Sequence, residues 1–135
     1  MKKILSITLV LLLTGCFGET GKGYITKNCQ KQEHIGGINI TQNIDLKSKE
    51  GIVTNLKITE KYETENNIDT IKESKKSEKN LYNTIDGIEM TINENIFIYE
   101  IDAINTTDFI KEKFNIKEEQ HKMLKEYELQ GYKCN

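Results

Sequence analysis

Apolar residues recur with period two from residue 38, as Ile38, Ile40, Ile44 and Leu46, and again after a polar break as Ile52, Thr54, Leu56, Ile58 and Tyr62. Alternation on both sides of Lys47-Ser48-Lys49-Glu50-Gly51 predicts a β-hairpin with one buried face. The other face, carrying Asn43, Asp45, Asn55, Lys57 and Lys61, is left to water. A second pair of strands follows Gly87, where Ile88, Met90 and Ile92 lead into the turn Asn93-Glu94-Asn95. The returning run from Ile96 to Asp102 is apolar on both parities, with Phe97, Tyr99 and Ile101 on one side and Ile96 and Ile98 on the other. Such a strand belongs in the interior of a sheet, and this one is the candidate folding core.

Between the hairpins the pattern changes. Residues 66–79 are dominated by charge, with Ile68 and Ile71 as regular apolar positions and Leu81, Tyr82 and Ile85 beyond, which predicts a helix with a solvated middle. Glu73 and Glu78 interrupt the cluster Lys72, Lys75, Lys76 and Lys79, so it reads as a solvated face rather than an anion-binding patch. Downstream, Asn105 with Asp108 opens a short helix carrying Phe109, Ile110 and Phe114. Asn115 with Glu118 repeats that spacing in the manner of a capping box, and Ile116, Gln120, Met123, Leu124 and Tyr127 recur at helical intervals. Gly131 fits the left-handed position after the helix, with Tyr132 packing back toward Tyr127. The expected fold class is α+β, an antiparallel sheet of about four strands in ββα-ββαα order with helices packed on one face.

The amino-terminal residues have a different character. Met1-Lys2-Lys3, an apolar run from Ile4 to Leu13 broken by Ser6 and Thr8, and then Thr14-Gly15-Cys16 form the three regions of a secretory signal. An apolar run of about ten residues covers roughly 15 Å, half a hydrocarbon core, which argues against a spanning helix. Leu13-Thr14-Gly15-Cys16 resembles the lipobox of bacterial lipoproteins, in which a diacylglycerol is attached to the cysteine and the chain is cleaved before it. The resemblance implies a signal peptide over residues 1–15 and a lipidated Cys16 as the new terminus. Two or three acyl chains hold a protein at a membrane where one binds only marginally. Residues 16–28, with Gly18, Gly21 and Gly23, are expected to be a flexible tether, and 29–135 a single folded domain. By resemblance to lipoprotein sorting, Phe17 is not the aspartate that retains many such proteins at an inner membrane, so an outer-membrane address fits where the source has one.

Composition then narrows the partners. All 19 basic residues of the 135 are lysine, which excludes arginine fingers and bidentate guanine readers. Loss of Lys2 and Lys3 with the leader leaves 17 lysines against 21 acids, a formal charge of −4, so no nucleic-acid partner is expected. With Cys16 lipidated, Cys29 and Cys134 remain of the 3 cysteines, and two cysteines in an exported domain are expected to pair. The alternative is two reduced, buried thiols.

Catalytic chemistry finds little to stand on. Gly18-Glu19-Thr20-Gly21-Lys22-Gly23 is no phosphate loop, because that motif needs a glycine where Cys16 stands and a hydroxyl where Gly23 stands. His34 and His121 lie far apart with no cysteine to spare, so no metal and no cofactor are expected. Ser48, Ser74 and Ser77 sit in polar turns or the charged run, a poor setting for a nucleophile. Glu100 and Asp102 share one strand face beside apolar neighbours, where burial would raise a carboxyl pKa as a catalytic acid requires. The competing role is structural, with Asp102 terminating the strand.

The ending Leu129-Gln130-Gly131-Tyr132-Lys133-Cys134, together with Cys29, Tyr62, Gly87 and the Ile101-Asp102 step, resembles the YehR-like family of small bacterial lipoproteins. That family ends in Leu-x-x-Gly-Tyr-x-Cys, one residue longer between Leu and Gly than here. The resemblance implies an α+β fold and carries no established biochemical activity. The function expected from these observations is a non-catalytic binding or envelope-maintenance module outside the cytoplasmic membrane, not an enzyme, meeting an envelope protein through a strand edge or Tyr62, Tyr82 and Tyr99. The alternatives are a small envelope hydrolase using Glu100 or Asp102, and an inhibitor of an exogenous hydrolase that inserts the Lys47–Gly51 loop.

Overall fold

A computed structural model describes residues 23–65 and 68–135; the expected signal peptide, Cys16 and the tether up to residue 22 lie outside the described residues. The elements run β1 (Tyr24–Ile35), β2 (Ile38–Lys49), β3 (Ile52–Glu63), α1 (Asp69–Tyr82), β4 (Ile88–Asn93), β5 (Ile96–Asp102), α2 (Asp108–Lys113), α3 (Gln120–Leu129) and β6 (Lys133–Cys134). The strands form one antiparallel sheet in the order β4-β5-β3-β2-β1-β6.

The α+β class and the two expected hairpins are present, β2–β3 and β4–β5, with β5 in the sheet interior. The strand count is corrected from about four to six, and the order to βββα-ββααβ. β1 takes up Tyr24–Asn28, which the tether reading had placed outside the fold, and pairs with β2 from Tyr24↔Lys49 to Ile35↔Ile38. It carries few apolar residues, so no alternation announces it; the ladder to β2 holds it. β6 is two residues long, and Cys134 lies opposite Cys29 on β1 and is joined to it by a disulfide.

Register explains the core. Ile44, Ile58, Tyr99 and Met90 form one cross-strand row, and Leu46, Leu56, Ile101 and Ile88 the next. Tyr82 of α1, Ile110 of α2 and Met123 and Tyr127 of α3 join these rows in a single buried cluster. Each such aliphatic or aromatic side chain contributes roughly 1.5–3 kcal/mol on burial. The opposite parity, with Asn55, Lys57, Glu89 and Glu100, is exposed.

Helix ends follow local hydrogen bonding. Thr107, not Asn105, caps α2, its hydroxyl accepting from the Ile110 N–H at 3.3 Å. Asn115 opens no helix: it is left-handed at φ 52°, and its amide donates to Glu126, while α3 begins at Gln120. The expected carboxy-terminal signal holds, since Tyr132 N–H bonds the Tyr127 carbonyl and Gly131 N–H that of Glu128, with Gly131 at φ 97°. The Tyr127 and Tyr132 rings are 5.4 Å apart.

Gly87 permits a close approach. At φ 80° a Cβ there would lie 2.6 Å from the Thr106 Cα, where the Gly87 carbonyl also accepts from the Asp102 N–H. Gly87→Ala is expected to destabilise the domain by roughly 2–4 kcal/mol, combining backbone strain with overpacking against main chain. A urea midpoint equal to that of the unsubstituted protein would contradict this packing.

Candidate functional site

Midway along the inward faces of β2 and β3 the apolar alternation is interrupted by a long polar side chain. Gln42 follows Ile40 on β2, Glu60 follows Ile58 on β3, and the two are register partners in the middle of the sheet. Above them α1 presents Ile71, Lys75, Glu78 and Tyr82, spaced at three- and four-residue intervals on one face. Lys75 therefore meets Glu60: Nζ donates to Glu60 Oε1 at 2.9 Å and to the Tyr99 hydroxyl at 2.8 Å. The lysine and glutamate side chains are only 14% and 12% exposed. Tyr99 donates onward to Glu78 Oε2 at 2.8 Å, and Lys75 lies 3.4 Å from the same oxygen. On the other side the Gln42 amide donates to Glu60 Oε2 at 3.0 Å and accepts from the Tyr132 hydroxyl at 3.0 Å.

One hydrogen-bonded chain thus crosses from Tyr132, just before β6, to α1, and its wall is aromatic. Lys75 Nζ is 5.3 Å from the Tyr99 ring centre and 5.5 Å from that of Phe97, within range of a cation–π contact. Tyr82, Tyr99 and Phe114 pack in a triangle with centres 5.5 to 6.1 Å apart. These groups line a cavity of about 280 Å³ between the sheet, α1 and α3, with Gln130 and Lys113 also on its wall.

The setting fixes the protonation states. Burial pushes the Lys75 ammonium down, but the charge and hydrogen bond of Glu60, with Tyr62 and Glu78 behind them, hold it above the ordinary lysine value. Burial, then the charge of Glu60, raises the Tyr99 phenol far above 10, and burial raises Tyr127 likewise. Tyr132 is pushed up to about 12, mainly by burial. For all four groups the fold favours the protonated form, so the associated stability is complete below pH about 10 and is lost as pH rises through the folded values. The oxidised protein is expected to have a lower urea midpoint at pH 11 than at pH 8; equal midpoints would contradict these environments.

The tyrosines expected on a partner surface are brought together, but inside. Tyr82 and Tyr99 are buried and Tyr62 is half-buried, with its ring edge-on to Phe97 at 5.4 Å. The two candidate carboxylates stand in different settings. Glu100 is exposed on the open sheet face, opposite Glu89 and Lys57. Asp102 accepts from Asn105 Nδ2 at 2.8 Å and from the Ile104 and Asn105 N–H groups, bonds to Asn105 first among them, which hold its carboxyl below the usual range. It ends the strand. His34 bonds Asn39 at an exposed strand end, and His121 is exposed on α3 beside Glu119.

The turn after Lys49 does not stand free, because the Gly51 carbonyl accepts from Gln120 N–H and Ile52 bridges to Glu119. The β4 edge is partly closed by Asn83, whose side chain takes the Met90 N–H at 2.8 Å and donates to its carbonyl at 3.2 Å. A broader hollow of about 590 Å³ lies over the open sheet face, lined by Asp45, Lys57, Glu89, Glu100 and Asp102 among others. Among the described residues, no three or more His, Cys, Asp or Glu are grouped to hold a metal ion, and no helix is long and apolar enough to cross a membrane. Comparison with protein families, curated proteins and solved structures gives no match for this chain.

Proposed function

We propose that this chain is a bacterial lipoprotein, anchored outside the cytoplasmic membrane through Cys16, that works as a non-catalytic binding module. The lipobox resemblance at Leu13–Cys16, the likeness of residues 29–134 to YehR-like lipoproteins, and a disulfide suited to an oxidising compartment support the address. Its binding site is the cavity between α1 and α3. The observation that carries this is the Lys75–Glu60 pair, largely withdrawn from water on the wall of an aromatic-lined cavity. A packed apolar pair would hold α1 on the sheet at least as well, so stability alone is a weak reason for charges at this place.

At about 280 Å³ the cavity sits just below the size of ordinary small-molecule sites, which suits a single-ring ligand or one side chain of a partner. Binding is favoured over proton transfer because Lys75 stays charged and Tyr99 neutral through ordinary pH, so neither is poised as a base. Asp102, held as a carboxylate, is equally unsuited to act as the acid of a hydrolase.

The test is an aromatic-ring NMR titration of the oxidised protein with single-ring amines and single-ring carboxylates. One class is expected to shift the Tyr82, Tyr99 and Phe114 rings, and to lose affinity at least several-fold in Gln130→Ala or Tyr132→Phe. If neither class moves those rings, the cavity is not the site.

A further inference from the structure

Three of the exposed large apolar side chains, Ile25, Ile52 and Ile104, lie toward one end of the domain. Ile52, Val53, Ala103, Ile104 and Ile116 line a groove of about 510 Å³, with Ile104 58% exposed. Lys111, Lys117 and Glu118 complete its lining. Ile25, half exposed, is the register partner of Ser48, whose hydroxyl donates to the Gln120 side chain at the start of α3. The chain enters the sheet at this same end, because Tyr24 pairs with Lys49 and Lys49 with Ile52. Two strand spacings, roughly 10 Å, separate the first residue of β1 from the rim of the groove. Cys16 lies eight residues before Tyr24 in the sequence, a reach of under about 30 Å even when fully extended.

We infer that this end is a membrane-docking surface, with Ile25, Ile52 and Ile104 set into the headgroup region of the bilayer that carries the anchor. The inference rests on the lipid anchor proposed above, which supplies the occupant: a short tether keeps Tyr24, and with it this end of the sheet, within about 30 Å of the bilayer. Lys111 and Lys117 on the groove's lining, with Lys49, whose ammonium lies 5.3 Å from the Tyr24 ring centre, stand at the level of the phosphates. Glu50 and Glu118 offset much of that charge, so insertion is led by apolar contact. The β1–β2 turn at Gly36-Gly37 lies at the other end of strands 12 residues long, roughly 40 Å away.

The chain contains no tryptophan, so a single introduced one reports its own surroundings. The lipidated full chain is reconstituted as Ile104→Trp, or as Ile35→Trp at the far end with a similar exposure of 59%, in phosphatidylcholine–phosphatidylglycerol vesicles whose acyl chains are brominated. The expected result is a blue-shifted emission for Ile104→Trp, quenched about two-fold or more, against little change for Ile35→Trp. Equal quenching of both variants, or of neither, in chain that sediments with the vesicles overturns the docking surface and leaves the anchor intact. A blue shift at Ile104→Trp without quenching means a second copy covers the groove, and also overturns it. Chain that fails to sediment at all removes the anchor, and the inference with it.

Discussion

Reduction of the Cys29–Cys134 bridge is expected to lower stability by about 2–5 kcal/mol. The bridge spans 105 residues, nearly the whole folded chain, and for a loop of that length the chain-entropy model gives about 4.7 kcal/mol. Little else holds β6, which has two register pairs with β1 and, just beyond it, the bond from Asn135 N–H to the Asn28 carbonyl. Loss of the bridge also frees the segment that places the Tyr132 hydroxyl on Gln42, so the cavity should loosen with the fold. Guanidinium midpoints of oxidised and fully reduced protein check this directly. Coincident midpoints would mean that the bridge constrains nothing the sheet does not already hold.

The second large effect is expected from Lys75→Met. The substitution removes the cation between Glu60 and Glu78 and leaves Glu60, 12% exposed, with the Gln42 amide as its one remaining side-chain donor among the described residues. Breaking a buried pair on one side typically costs about 3–5 kcal/mol, and the partial exposure of Glu78 places this case near the lower end. The deficit should shrink at acid pH, where a stranded carboxylate takes up a proton rather than remaining charged among aromatic rings. Replacing both partners, Lys75→Met with Glu60→Leu, should recover much of the loss because no buried charge remains. A single variant as stable as the unsubstituted protein between pH 5 and pH 8 would show that the pair is effectively solvated.

Much of this site was written in the sequence as omissions from a pattern. The alternation Ile38, Ile40, Ile44, Leu46 skips Gln42, and Leu56, Ile58, Tyr62 skips Glu60. Each gap is an inward polar residue, and register makes the two neighbours. Likewise a helical ruler through Ile71 and Tyr82 passes through Lys75 and Glu78, yet local composition assigned the whole lysine cluster to solvent. Charge density describes a helix as a whole; period describes which of its charges turn inward.

Other features had no local signal. β1 is extended because β2 offers it a ladder, and a strand of Lys, Gln and Asn gives no period to read. The capping-box spacing at Asn115 was overridden by tertiary contacts, since Asn115 turns left-handed and bonds Glu126. Gly131, by contrast, was legible because a left-handed helix terminus selects for glycine from its own backbone geometry. The rise in carboxyl pKa expected of Asp102 failed for a local reason, the hydrogen bonds from the Asn105 side-chain amide and from the Asn105 and Ile104 N–H groups.

The proposed address and the proposed membrane-docking end both rest on one event at the amino terminus, and the oxidising compartment that suits the bridge goes with it. Mass spectrometry of the chain purified from the membrane fraction of its own cells, with thiols blocked before lysis, tests it most directly. The proposed address predicts a first residue of Cys16 bearing a diacylglycerol-derived mass, with Cys29 and Cys134 recovered as one disulfide-linked peptide pair. An intact Met1 terminus with an unmodified Cys16, recovered from the soluble fraction with all three thiols blocked, would contradict it.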